Sequence, residues 1–322
     1  MDIFSIGEMV IDFIPGSQPG SYIRNPGGAP ANMAIAAARN GIDAGFCGLL
    51  GDDDFGHFLE SVLEENNVRI LCSRFTQDAI TTLAFVTLSF EGERSFTFAR
   101  KPGADMLLLK DDVCEDDIKS AAIIHAGSCS LSAEASAEAT FHALKLGKKH
   151  NKLISFDVNY RNLLWNNKEQ DALRMINMAL QYVSVLKLSE EETVLLGGDI
   201  PAIMREHDIS VVVETLGDKG ARCFYKNKVI NAACRRVECV DSTGAGDAFW
   251  GTFLSGLIIE KVRDINMLTD EILARALREG NIAGALCVQK KGAINSLPTR
   301  RDIESAMEKE VETDAVSITY LS

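Results

Sequence analysis

The chain holds 322 residues, 46 % of them apolar and 25 % charged, and carries a formal net charge of −13. That length suits one large α/β domain with an appendage or two smaller domains, and the composition supplies a large buried core. An acidic chain with no long basic cluster argues against a nucleic-acid binder, but it leaves phosphate binding open, because a few local donors decide that.

Ile3-Phe4-Ser5-Ile6-Gly7 is an apolar run closed by glycine and predicts a first buried strand. From 15 to 28, Pro15, Gly16, Pro19, Gly20, Pro26, Gly27 and Gly28 supply turn chemistry with brief extended pieces between. Pro30 opens a helix over 31–40, stopped by Gly41. A buried strand over 44–50 and an amphipathic helix over 55–66 follow. Two β-rich runs, 83–88 and 94–98, flank Glu91-Gly92-Glu93 and predict a hairpin. With the extended pieces near 9–25 it is expected to form a small β lid, drawn from about 9–25 and 80–101 of a single domain spanning 1–322.

Strands and helices then alternate. Strands are predicted over 122–126, 153–157, 183–188, 210–215 and 221–225. Helices are predicted over 133–149, 168–180, 189–196, 200–208, 246–259, 271–288 and 301–311. This alternation implies a doubly wound α/β fold, a mostly parallel sheet with helices on both faces. Ligands of such sheets bind beyond the carboxyl ends of the strands. The residues after Val311 carry no readable pattern.

Eight cysteines are scattered without a C-x-x-C pair, which fits a reducing compartment and argues against zinc. The N-terminus lacks the basic start and apolar stretch of a signal peptide. No run approaches the roughly 20 apolar residues of a membrane span. A cytoplasmic protein without membrane partners is expected. Neither G-x-x-x-x-G-K-[ST] nor a G-x-G-x-x-G after the first strand occurs, which sets aside a P-loop and a dinucleotide fingerprint.

The strongest chemical signal is Asp241-Ser242-Thr243-Gly244-Ala245-Gly246-Asp247-Ala248-Phe249. Small residues leave backbone N–H groups bare where a helix begins, and donors and dipole together make an anion site. Asp247 falls in the first turn of that helix, where a carboxylate also serves as an ordinary stabilising charge. The crowding of small residues before it is explained by close approach of a phosphate.

This stretch resembles the C-terminal signature of the ribokinase-like carbohydrate kinases, and Gly27-Gly28-Ala29-Pro30-Ala31-Asn32-Met33-Ala34 resembles their N-terminal one. The likeness runs from Gly7 to Pro298 and is closest to the fructokinases. That closeness rests on Phe98-Ala99-Arg100-Lys101-Pro102-Gly103-Ala104-Asp105-Met106, on Asp157-Val158-Asn159-Tyr160-Arg161 and on Leu163-Leu164-Trp165. The resemblance implies an ATP-dependent sugar kinase with Asp247 as the base and the backbone of Gly244, Ala245 and Gly246 as an anion hole. It implies sugar contacts from Asp12, Gly28, Asn32, Arg100 and Arg161. Taken alone, Asp12 is equally a turn residue, the paired glycines a loop and the arginines solvated side chains. On the ATP side it implies Lys187, Glu192, Thr215, Gly217, Gly220 and Asn281. The motif that holds Glu192 usually opens with Asn; Ser189 stands there, and Ser189 with Glu192 is also a capping box. The Thr215-to-Ala221 segment is in any case a hairpin turn.

Mg²⁺ is expected with ATP. K⁺ is implied at Asp241, Thr243, Cys287, Lys290, Gly292 and Ser296. The expected acceptor is the 6-hydroxyl of fructose, and apolar hairpin residues such as Phe85 and Leu88 suggest a homodimer through the lid or a cover for the sugar. The alternatives are a 2-keto-3-deoxygluconate kinase, for which tyrosines in place of Phe96 and Phe98 would have spoken, and a non-catalytic sugar or nucleotide sensor, which would not need Asp247. A nucleoside kinase and an NAD-dependent oxidoreductase fit less well.

Overall fold

The computed structural model describes residues 1–18, 20–88, 94–308 and 316–321. The expected turn at Glu91-Gly92-Glu93, the helix end near Val311 and the side chains of Leu88 and Phe96 lie outside the described residues.

The first half contains β1 (Ile3–Ile6), β2 (Val10–Pro15), β3 (Tyr22–Gly27), α1 (Ala29–Arg39), β4 (Ala44–Cys47), β5 (Leu50–Gly51), α2 (Asp54–Glu65), β6 (Arg69–Ile70), β7 (Phe75–Thr76), β8 (Leu83–Leu88) and β9 (Arg94–Ala99). It continues with α3 (Glu115–Ser120), β10 (Ile123–Gly127), α4 (Glu134–Lys149), β11 (Leu153–Asp157), α5 (Glu169–Leu180), β12 (Val185–Ser189), α6 (Glu190–Leu195) and α7 (Ile200–His207). The last part holds β13 (Val211–Thr215), β14 (Ala221–Tyr225), β15 (Lys228–Ala232), α8 (Ala245–Ile259), α9 (Asp270–Cys287), α10 (Ala293–Ser296), α11 (Arg300–Glu308) and β16 (Val316–Tyr320).

Ten strands form one sheet in the order β16-β15-β14-β13-β12-β11-β10-β1-β4-β6. Neighbours from β6 to β13 run parallel, and β13 to β16 run antiparallel. Strands β1, β4, β10 and β11 are buried along their whole length, as expected where helices cover both faces. One face packs on α1, α8 and α9, the other on α4, α5 and α7, giving two apolar cores. The α/β architecture is therefore the one expected. At one edge the sheet extends beyond the predicted strands by β15 and β16. A two-residue turn with Lys226 at φ 52° joins β14 to β15, and β16 adds a further strand from the region that carried no readable pattern.

A second sheet, β3-β2-β8-β9, is the lid. The turn chemistry expected up to Gly28 is overtaken by strand, since β3 runs through Pro26 to Gly27 paired on β2. Phe85 is half-buried, not exposed: its ring stacks on Phe13 at 5.0 Å and meets Tyr22 edge-on at 5.9 Å. Such pairs add about 0.5–1.5 kcal/mol beyond the area they bury.

Helix α8 is buried almost throughout, from Ala248 to Ile258, which is why it shows no polar face. Trp250 stacks on Phe253 at 5.0 Å, and its indole N–H donates to Ser155 Oγ on β11 at 3.0 Å. The helix is thus fixed to the sheet one turn after its N-terminus.

Candidate active site

Two helix starts converge. Gly28 caps α1 with φ 109°, and a Cβ there would stand 2.5 Å from the Glu8 carbonyl oxygen and 2.8 Å from Met9 Cα. Only glycine lets the chain turn from the lid into α1 so tightly. Asn32, buried in the first turn of α1, donates through Nδ2 to Asp247 Oδ2 at 2.8 Å, and its own Oδ1 is buried without a partner. Gly244 caps α8 with φ 81°, and the N–H of Ala245 turns back to donate to the Ser242 carbonyl at 3.3 Å.

These elements wall a cavity of about 630 Å³, ordinary for a small-molecule site. Asp12, Gly28, Asn32, Arg100, Arg161 and Asp247, the residues expected to hold sugar, all line it, as do Gly244 and Gly246. A second cavity of about 520 Å³ is lined by Thr215, Gly217, Gly220, Asn281, Ala245 and Gly246. The first turn of α8 stands between the two, with Ser242 and Gly246 lining both.

Several side chains are placed differently from expectation. Lys187, read as a nucleotide-side residue, lines the larger cavity together with Asp12 and Asp247; its Nζ is 3.5 Å from where a Cβ on Gly246 would stand. The reason is register: parallel pairing sets Lys187, at the middle of β12, beside Asp157, at the end of β11, and the two form a buried ion pair at 2.7 Å. Arg100 does not swing free from the lid. It is buried, with Nε and Nη2 on Asp105 Oδ2 at 2.9 and 2.7 Å and Nη1 on Ser132 Oγ at 3.0 Å. Arg161 is exposed and donates to the Tyr160 carbonyl at 3.1 Å.

Glu192 is the far member of a capping box, its Oε2 accepting from Ser189 N at 2.8 Å and its Oε1 from Tyr160 N at 2.7 Å. It lines neither cavity. Asn281 Nδ2 donates to the carbonyls of Ala232 and Ala233 at 2.9 and 3.3 Å, so it braces the wall of the second cavity. Thr215 Oγ1 donates to Leu188 O at 3.2 Å.

The residues implied for K⁺ meet behind α8. Asp241 Oδ1 accepts from the N–H and hydroxyl of Thr243 at 3.0 and 2.7 Å, and Oδ2 accepts from Gly292 N at 3.0 Å. Cys287 Sγ lies 2.9 Å from Ser296 Oγ, and Lys290 N donates to the Cys287 carbonyl at 3.2 Å. A buried carboxylate beside a carbonyl-rich turn is a hard-oxygen donor set that suits a monovalent cation. Among the described residues no group of three or more His, Cys, Asp or Glu side chains gathers as a metal site.

Glu8 is a further residue of the cavity, beyond those expected. It is 6 % exposed, lines the larger cavity, and keeps Oε2 without a partner. Its position one residue past a strand-ending glycine was the available signal, since ligands gather at strand carboxyl ends. Burial pushes its carboxyl up to about 7, with Asp105 adding repulsion. Burial, then Asp247, raises Asp12 to about 6. Burial raises Asp247 to about 6 against the lowering bond from Asn32, and Asp157 adds repulsion.

Each of these carboxyls binds its proton more tightly folded than unfolded. The stability they contribute is present at low pH and lost as pH rises through 6 to 7. His125, buried and lowered to about 4, acts in the opposite sense only below its ordinary value of 6.5. The ligand-free protein should therefore melt higher at pH 6.5 than at pH 8, and Glu8→Gln should shrink that difference. A melting temperature that rises from pH 6.5 to 8 would contradict this assignment.

The model of the family described as pfkB family carbohydrate kinase matches residues 1–300. A probable fructokinase-4 of Arabidopsis thaliana is 41 % identical over 319 residues, 95 % of this chain and 96 % of that protein. A fructokinase from Xylella fastidiosa with bound ATP superposes with a TM-score of 0.89 at 31 % identity, covering 96 % of this chain and 98 % of that one. A fructokinase from Vibrio cholerae O395 in a fructose, ADP and calcium ion bound form gives 0.85 at 33 %, over 94 % and 98 %.

Proposed function

Because the chain belongs to the pfkB family of carbohydrate kinases and is an ATP-dependent sugar kinase, we propose that it transfers the γ-phosphoryl group of ATP to the 6-hydroxyl of fructose, with Asp247 as the base. The observation that carries this reading is the first turn of α8 shared by two cavities, with Asp247 lining the larger one. An acceptor hydroxyl beside Asp247 and a nucleotide beyond Gly246 would face each other across the start of α8. In-line transfer needs little more than that positioning and charge stabilisation. The fructose bound by the Vibrio relative and the ATP bound by the Xylella relative support the two assignments.

In this reading Asp12, Gly28, Asn32, Arg100 and Arg161 hold the sugar, and Thr215, Gly217, Gly220 and Asn281 shape the nucleotide side. Asn32 also fixes the base, because its amide occupies one carboxylate oxygen of Asp247. Lid closure over the sugar would exclude water as a competing acceptor. Glu192, pre-oriented by two backbone donors, suits a hydrated Mg²⁺ carried in with ATP, an ion that keeps much of its water. When bound, Mg²⁺ would neutralise charge on the phosphates. The Asp241 carboxylate and the turn from Cys287 to Gly292 suit K⁺. Tyr22 and Ile23, 44 % and 57 % exposed on the lid, support a homodimer through that sheet.

The test is ATP-dependent ADP release with fructose, glucose, ribose, 2-keto-3-deoxygluconate and adenosine. Turnover led by fructose is the expected result. Turnover led by 2-keto-3-deoxygluconate would keep the chemistry and overturn the acceptor. Binding of sugar and ATP without turnover would identify a sensor.

A further inference from the structure

Beyond the residues assigned so far, we infer that Asp157 is a positioning residue, one that holds the Lys187 ammonium against the first turn of α8 and keeps it off Asp247. The inference rests on the kinase reading above and concerns a side chain that this reading leaves without a role.

Asp157 ends β11 and faces Lys187, at the middle of β12, in parallel register. Of the two, Lys187 lines the larger cavity, which opens on the side of the sheet where ligands bind. Both are buried, 3 % and 7 % exposed, and Asp157 Oδ2 takes the ammonium at 2.7 Å. A buried pair of this kind is poor value as a stabilising device, since apolar residues of the same size serve as well or better. Its position suggests a different use. Lys187 borders the sugar-side cavity at Gly246, and Asp157 lies behind it, outside the lining. The ammonium therefore adds a full positive charge to the partial charge of the helix N-terminus, at the point where the transferring phosphoryl would pass.

A lysine stem is long and flexible, and carboxylates compete for its charge. Asp157, Glu192 and Asp247 all act on Lys187, with Asp157 the strongest of the three. If Lys187 moved to Asp247, it would tie up the carboxylate that must accept the sugar proton. Asp157 prevents this by holding the ammonium at its own Oδ2. Its Oδ1 is buried without a partner, so nothing else on the protein draws Asp157 away from the lysine.

The test is a double-mutant cycle in the full-length protein: Asp157→Asn, Lys187→Met and both together, read as kcat, fructose KM and melting temperature. Asp157→Asn should lower kcat on the order of 10- to 100-fold, the range typical of partners that orient a primary group, with fructose KM nearly unchanged. In the Lys187→Met background the same change should lower kcat no further, because Asp157 acts only through the lysine. Additive losses would overturn the inference, as would a fall in melting temperature with kcat intact. Should Asp157→Asn fail to fold, Lys187→Met alone still decides: kcat within about threefold of the parent leaves no ammonium worth positioning. Asp247→Asn, measured beside them, separates the two claims. If it stays active the base assignment fails; if it is dead and the cycle is additive, only the role of Asp157 fails.

Discussion

Asp247→Asn should lower kcat about 10²–10⁴-fold, the usual contribution of a positioned base, while fructose binding changes far less. The substitution keeps the shape of the side chain and removes its ability to take a proton. The native carboxylate sits in the first turn of α8 with one oxygen already fixed by Asn32, so what is lost is proton transfer rather than architecture. With the carboxyl raised to about 6 by burial, kcat/KM of the native enzyme should rise as pH increases through about 6 and then level. The residual activity of the amide variant should lack that limb. A variant that keeps more than about a tenth of kcat, or the same acid limb, would mean that another group takes the proton.

The parts of this site that were legible from sequence are those encoded locally. Gly244 to Asp247 and Gly28 to Asn32 each place small residues and one polar side chain at a helix start, and both signals survive without knowing what lies opposite. Partnerships across the sheet were not legible. Asp157 and Lys187 are 30 residues apart and meet only because β11 and β12 run parallel in a fixed register. Arg100 looked like a lid arginine free to reach a ligand, yet Asp105, five residues on, folds back to take its charge. Strand β16 was legible after all, since Val316-Ser317-Ile318-Thr319-Tyr320 alternates apolar and polar residues, but four of the five stay exposed on a sheet edge, so the alternation marks no buried face. The turn-rich stretch ending at Gly28 misled in another way, since prolines are tolerated in strands of small sheets where no neighbour needs their N–H.

Two substitutions two residues apart separate the shape of the anion site from its contents. Gly244→Ala should reduce kcat at least ~10²-fold, the scale of losing one well-placed oxyanion donor, and should also lower the melting temperature. At φ 81° an alanine pays about 1–2 kcal/mol for the left-handed conformation. Its Cβ would further meet Ala293 Cα at 2.8 Å, a backbone contact that cannot rotate away, so the cap and the donors behind it must shift. Gly246→Ala is the contrast. Gly246 is helical, and a Cβ there meets only Lys187 Nζ at 3.5 Å, an ordinary contact. Alanine in a helix is favoured over glycine by about 0.5–1 kcal/mol, so this variant should melt no lower than the parent. It nevertheless fills the gap between the two cavities that a phosphoryl group would have to cross, and its kcat should fall while its stability holds. If Gly246→Ala turned over at the native rate, the gap would not be the transfer site, however severely Gly244→Ala was impaired.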